Sequence, residues 1–127
     1  LSDLPLDIYI DKFFSARAVA GLISVRTLQS FHTVHSDSNG IVSRIGSVNG
    51  AEILVNGGFF VMKNEIFDYI EDGEELVEEP FRRLIAQKKL FGYEYKGFWR
   101  SMDTLKDKIT FDELHAKGDT PWEIWKK

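Results

Sequence analysis

One stretch constrains this chain more than any other: Ile53-Leu54-Val55-Asn56-Gly57-Gly58-Phe59-Phe60-Val61-Met62, two apolar runs hinged on an asparagine and paired glycines. Val, Ile and Phe on either side are strand formers, while the glycines allow positive φ and leave main-chain N–H and C=O groups bare. Asn-Gly between alternating apolar runs is also a strong short hairpin signal, so a plain hairpin and a ligand-approachable backbone are both open from this stretch alone. Either way, Ile53 to Met62 reads as a central strand pair.

The remaining elements read off in order. Leu6, Ile10, Phe13 and Phe14 lie near helical spacing and predict an amphipathic helix from Leu6 to Ala16. Ala18 to Leu28 reads as a strand. Phe31 to His35 and Ile41 to Ile45 flank Ser36-Asp37-Ser38-Asn39-Gly40, a run of turn formers, and predict a hairpin followed by a loop over Gly46 to Gly50. Asn64 is placed to cap a short helix through Ile70, with Ile66, Phe67 and Ile70 on one face, ahead of a solvated acidic turn, Glu71 to Glu75. Glu79-Pro80 opens a helix to about Lys89 with Leu84 and Ile85 inward, since proline suits the first turn and a carboxylate the positive end of the dipole. Arg82, Arg83, Lys88 and Lys89 then form a solvated face, and His32 and His35 are exposed strand histidines. Leu90 to Tyr95 is a strand, Gly97 a turn and Phe98 to Met102 extended. Asp103 is a candidate cap for a helix from Thr104 to Lys117 that Gly118 ends, before a last turn at Thr120-Pro121. Strands alternating with helices predict an α/β fold.

Composition narrows the function classes. The chain has 127 residues, 43% hydrophobic and 28% charged, enough for one domain with a core. A formal charge of -4 without a basic stripe argues against a nucleic-acid partner. No apolar run is long enough to cross a bilayer, so no membrane partner is expected. The absence of cysteine excludes disulfides and thiolate metal sites and points toward a cytoplasmic setting.

Four clusters are candidates to carry chemistry: Asn56-Gly57-Gly58, Glu78-Glu79-Pro80, Gly97-Phe98-Trp99 and Met102-Asp103-Thr104; taken singly, Glu79 also reads as an ordinary helix start, Asp103 as an ordinary N-cap and Trp99 as core, so none decides by itself. In this order and spacing they resemble the C-terminal half of the sugar nucleotidyltransferases, and most closely glucose-1-phosphate cytidylyltransferase. The matching motifs are Val55 to Val61, Glu79-Pro80, Gly97-Phe98-Trp99, the run Met102 to Lys108, and a tail with Lys117, Gly118, Pro121, Trp122 and Trp125. The resemblance implies the C-terminal portion of a Rossmann-like nucleotidyltransferase fold, a mixed sheet with flanking helices, as a single partial domain over residues 1–127. It also implies the reaction: a sugar 1-phosphate attacks the α-phosphorus of a nucleoside triphosphate and pyrophosphate leaves.

On that resemblance Asn56, Gly57, Glu79 and Trp99 would bind the sugar, and Asp103 would be one of two aspartates on Mg²⁺, a hard cation that takes oxygen ligands. The nucleotide-binding Gly-rich loop and the other aspartate have no counterpart in this sequence, so nucleoside triphosphate is expected as a partner only if an N-terminal half is supplied. Two family cations are also replaced, by Ile45-Gly46-Ser47-Val48 and by Leu28-Gln29-Ser30-Phe31-His32. The expectation is a chain inactive by itself that binds a sugar 1-phosphate; the alternative is a non-catalytic binding or assembly module. A homo-oligomer is expected to cover the sheet edge and apolar face that half a fold would leave open.

Overall fold

The computed structural model describes residues 1–26, 32–47 and 53–126. Its central strand is β1 (Ala20–Arg26), and every other strand of the main sheet pairs with it. On one side β6 (Leu90–Tyr95) runs parallel to β1, from Ala20 opposite Leu90 to Val25 opposite Tyr95. On the other side β4 (Leu54–Asn56) and β5 (Val61–Met62) run antiparallel to it. The strand expected from Leu90 to Tyr95 therefore forms with those bounds. The strand expected over Ala18 to Leu28 forms within the described part of that range.

β4 and β5 do not pair with each other, which corrects the expected strand pair. They are two halves of one row, broken by a bulge. Ser24 faces Asn56 and Gly21 faces Val61, so three steps along β1 match five along the partner row, which carries two extra residues. The ladder continues through the break: Gly57 N–H donates to Ile23 O at 2.9 Å and Ile23 N–H donates to Gly58 O at 3.1 Å. Gly58 (φ 73°) and Phe59 (φ 51°) both take the left-handed region, which folds the extra residues out of the row.

Alternation along β1 sends its side chains to two faces, each covered by a helix. On one face Ile23 and Val25 pack with Leu4, Tyr9, Tyr93 and Trp99; α1 (Leu6–Ser15) supplies Tyr9 and Phe13. The buried stripe is thus Tyr9 and Phe13, not Leu6 and Phe14, which are about half exposed. On the other face Ala20 packs with Ile66, Phe81 and Leu84; α2 (Glu79–Ala86) supplies Pro80, Phe81 and Leu84, and Ile85 points outward.

Asn64 to Tyr69 form a 3-10 helix with Ile66 buried, Phe67 exposed and no side-chain cap from Asn64. Nor is the acidic turn free in solvent. Arg83 grips Glu74 with both guanidinium nitrogens, donates to Tyr69 O at 2.8 Å and lies 3.5 Å from Glu71. Lys89 Nζ donates to the Tyr69 hydroxyl at 2.7 Å, so the basic face of α2 is in part a clamp.

The expected hairpin forms as a separate two-stranded sheet, β2 (His32–Ser36) with β3 (Val42–Ser47). Asp37 Oδ1 accepts from Asn39 N and Ile41 N and fixes the turn. β3 runs through Gly46 and Ser47, two residues into the expected loop; the rest of that loop, and residues 28–31, lie outside the described residues. α3 (Leu105–Ala116) begins one residue later than expected. Its cap is Thr104, not Asp103: the Thr104 side chain accepts from Asp107 N while the Asp107 carboxylate accepts from Thr104 N. Gly118 (φ 72°) ends it. α3 is anchored by Phe111, which meets Phe98 and Trp122 edge-on.

Candidate functional site

The bulge at Asn56-Gly57-Gly58 is where the sequence motifs converge. Asn56 Oδ1 accepts the Gly58 N–H at 2.9 Å, which tightens the turn and leaves the exposed side-chain amide free to donate outward. Gly57 is buried against the sheet. A Cβ there would lie 2.8 Å from Ile23 Cγ1 and 3.1 Å from Val25 Cγ1, so only glycine allows this close approach. Its carbonyl accepts the Trp99 indole N–H at 2.8 Å, across 42 residues of chain.

Trp99 is itself held by backbone pairing. Ser2 and Trp99 form an isolated antiparallel bridge, Asp3 N–H donates to Phe98 O at 3.1 Å, and Arg100 N–H donates to Leu1 O at 2.9 Å. Gly97 makes the turn between β6 and this segment: a Cβ there would overlap the Tyr95 hydroxyl and crowd Asp3 Oδ1, whose hydrogen bond closes the turn. Burial, followed by that bond to the Asp3 carboxylate, holds the Tyr95 hydroxyl well above the usual phenol range, so it stays a donor.

The first turn of α2 reaches the same bulge through an edge contact of Phe81 with Phe60, ring centres 5.7 Å apart. That turn carries Glu79, whose side chain is exposed. Asp103 is exposed as well. The structure thus joins Asn56, Gly57 and Trp99 into one unit, brings the helix bearing Glu79 to its edge, and leaves Asp103 outside it.

Magnesium takes several oxygen ligands at once. Among the described residues no group of three or more His, Asp or Glu side chains could hold a metal ion; a magnesium ion at Asp103 would need its other oxygens from water, substrate phosphates or a carboxylate outside the described residues.

Outside the carboxyl ends of β1 and β6 lies a cleft of about 380 Å³, with Arg26, Tyr95, Lys96, Gly97 and Trp99 in its lining. Arg26 and Lys96 escape sequence inspection because neither belongs to a motif. The available signal is positional: Arg26 ends one strand and Lys96 follows the other, and the two strands run parallel side by side.

No family model matches the chain. Over 77 residues it is 40% identical to glucose-1-phosphate cytidylyltransferase of Salmonella typhimurium, a match covering 60% of this chain and 30% of that one. Over 110 residues it is 28% identical to a candidate glucose-1-phosphate cytidylyltransferase of Bacillus subtilis, covering 85% of this chain and 43% of that one. The chain is a relative of the sugar nucleotidyltransferases. It spans less than half the length of these curated relatives. A solved structure described as a candidate glucose-1-phosphate thymidylyltransferase from Bacillus anthracis, in complex with a sucrose, superposes with a TM-score of 0.53 at 13% identity. It covers 90% of this chain and 49% of that one, which establishes the shared fold: a mixed sheet flanked by helices. No helix among the described residues is long and apolar enough to cross a membrane.

Proposed function

We propose that this chain is the sugar-phosphate-binding part of a nucleotidyltransferase that forms an NDP-sugar, with CDP-glucose as the product. In that reaction an oxygen of the sugar phosphate attacks the α-phosphorus of the nucleoside triphosphate, the bond to the bridging oxygen breaks, and pyrophosphate leaves. Such transfers depend on positioning and charge neutralisation more than on covalent help from the protein. The observation that carries the reading is the hydrogen bond from Trp99 to Gly57 O, which welds two distant motifs into one rigid corner.

In this corner the Asn56 amide donates to a sugar hydroxyl, and the second lone pair of Gly57 O accepts from one. Glu79 accepts from two hydroxyls, a charge-assisted arrangement that discriminates between sugars. Trp99 supplies a flat apolar wall for the ring. The nucleotide is handled by a segment other than these residues, so a pyrophosphate-release assay with CTP, glucose 1-phosphate and Mg²⁺ on the 127-residue chain is expected to show no turnover. Turnover would refute that division of labour. Calorimetry with glucose 1-phosphate should show saturable binding, weakened about tenfold by Glu79→Ala through loss of charged hydrogen bonds; unchanged binding removes Glu79 from the pocket.

The replacement of the two family cations, by Ile45-Gly46-Ser47-Val48 and by Leu28-Gln29-Ser30-Phe31-His32, favours a second reading, a non-catalytic sugar-phosphate-binding or assembly module. The two differ in outcome when the chain is mixed with a nucleotide-binding partner half: restored turnover supports the first and silence the second. Self-association belongs to the proposal too, supported by the exposed Val34, Ile41, Val42 and Ile45 of the β2–β3 hairpin. A monomer by light scattering at micromolar concentration would refute it.

A further inference from the structure

We infer that the cleft beyond β1 and β6 holds the phosphate of the sugar phosphate, with Arg26 and Lys96 as its cations; this rests on the reading of the chain as a sugar-phosphate binder. In open α/β sheets ligands settle outside the carboxyl ends of parallel strands, and β1 and β6 are the parallel pair here. Their ends deliver one cation each to one cleft of about 380 Å³, at the small end of the range for ligand sites.

Both cations are available. Among the described residues Arg26 makes no ion pair, and the partner of Lys96 is Glu94 at 3.7 Å, a solvent-exposed pair of little strength. The nearby Asp3 carboxylate is turned to the Tyr95 hydroxyl and so is engaged away from an incoming anion. Much of the rest of the lining is carbon, from Val25, Phe98 and Trp99, so Arg26 and Lys96 are the charged side chains of the lining itself. Gly97 adds bare backbone at the wall, since no side chain fits beside Tyr95.

The cleft and the sugar corner share one residue, Trp99, which lines the cleft and whose indole is fixed to Gly57 O. One ligand with a sugar at Asn56 and a phosphate three to four bonds away would thus touch both. A guanidinium offers a fork of two N–H donors to phosphate oxygens and an ammonium a point charge, a complementary pair for a dianion.

Calorimetric titration of the chain with glucose 1-phosphate, glucose and inorganic phosphate tests this, on the native sequence, Arg26→Gln/Lys96→Gln and Arg26→Lys/Lys96→Arg. The expected result is a loss of tenfold or more in affinity for glucose 1-phosphate in the neutral double variant, since charged hydrogen bonds carry that much. Glucose affinity should stay unchanged, the charge-preserving variant should restore most of the loss, and thermal melts should coincide. Glucose 1-phosphate binding that ignores both cations would overturn the cleft assignment and leave the sugar-phosphate reading standing. Inorganic phosphate binding that needs both cations, without any preference for the sugar phosphate, would uphold the cleft and overturn that reading. Binding of none of the three would overturn both.

Discussion

Substituting Gly57 by alanine tests the corner at its tightest point. The added methyl would lie 2.8 Å from Ile23 Cγ1, 3.1 Å from Val25 Cγ1 and 3.2 Å from Ile23 Cδ1. Ile23, on the central strand, is fully buried and Val25 nearly so, which leaves little room for either to retreat. Overpacking of this kind costs about 1–3 kcal/mol. In a chain of this length that is roughly 3–12 °C in Tm. The two ladder bonds between the bulge and Ile23 should lengthen as the row is pushed away, and with them the bond from Trp99. Gly58 is the control: a Cβ there meets nothing within 4 Å, so Gly58→Ala carries only the left-handed backbone cost at φ 73°, about 1–2 kcal/mol. The two mechanisms separate in a double-mutant cycle measured by urea unfolding. Ile23→Ala removes two of the three crowding atoms, the nearest included, and leaves Val25 Cγ1, so Gly57→Ala should cost at least about 1 kcal/mol less in that background, while Gly58→Ala should be additive with it. A neutral Gly57→Ala, or strict additivity with Ile23→Ala, would refute the packing argument.

Three further outcomes follow from single residues. The Tyr9 hydroxyl is buried without a hydrogen-bond partner among the described residues, and burial pushes it up to about 12, so Tyr9→Phe should be neutral or stabilising by about 1 kcal/mol in chemical denaturation; a clear loss would reveal a partner. Thr104→Ala should cost about 1 kcal/mol by breaking the capping box of α3, whereas Asp103→Ala should leave helix content by circular dichroism unchanged. The hydrogen bonds from Arg83 and then from Glu71 N–H hold the Glu74 carboxyl at about 2, below its ordinary 4.5. Its contribution is therefore present above about pH 4.5 and is lost as pH falls toward 2, and Glu74→Gln should flatten the acid side of the stability profile over that window.

Much of the fold is legible in the chain because it is written locally. β6 shows its bounds at Leu90 and Tyr95 through flanking Lys89 and Gly97, and the β2–β3 hairpin through the turn formers at Ser36 to Gly40. What fails is what depends on distant partners. Spacing alone gives Leu6 and Phe14 the same claim to the core as Phe13, but the sheet meets the Tyr9 and Phe13 side of α1. Asn-Gly-Gly reads as a turn between paired strands, yet β1 captures both halves of the row and turns the excess residues into a bulge. Arg83 looks solvated until the acidic turn folds back over α2 to meet it. Asp103 and Thr104 are both cap residues by type, and the reciprocal bond from Asp107 decides for Thr104. In the candidate site the motifs mark Asn56, Gly57 and Trp99, whereas the pairing of Arg26 with Lys96 arises only when β1 and β6 lie side by side.

The most direct test of the sugar-phosphate corner is an amide and indole NMR titration of the chain with glucose 1-phosphate. Saturable shifts are expected of the Trp99 indole N–H, which is bonded to Gly57 O, and of the amides of Asn56 to Gly58, with the exposed Trp125 indole unmoved. Shifts confined to other surfaces, or none up to millimolar ligand, would contradict the sugar-phosphate reading.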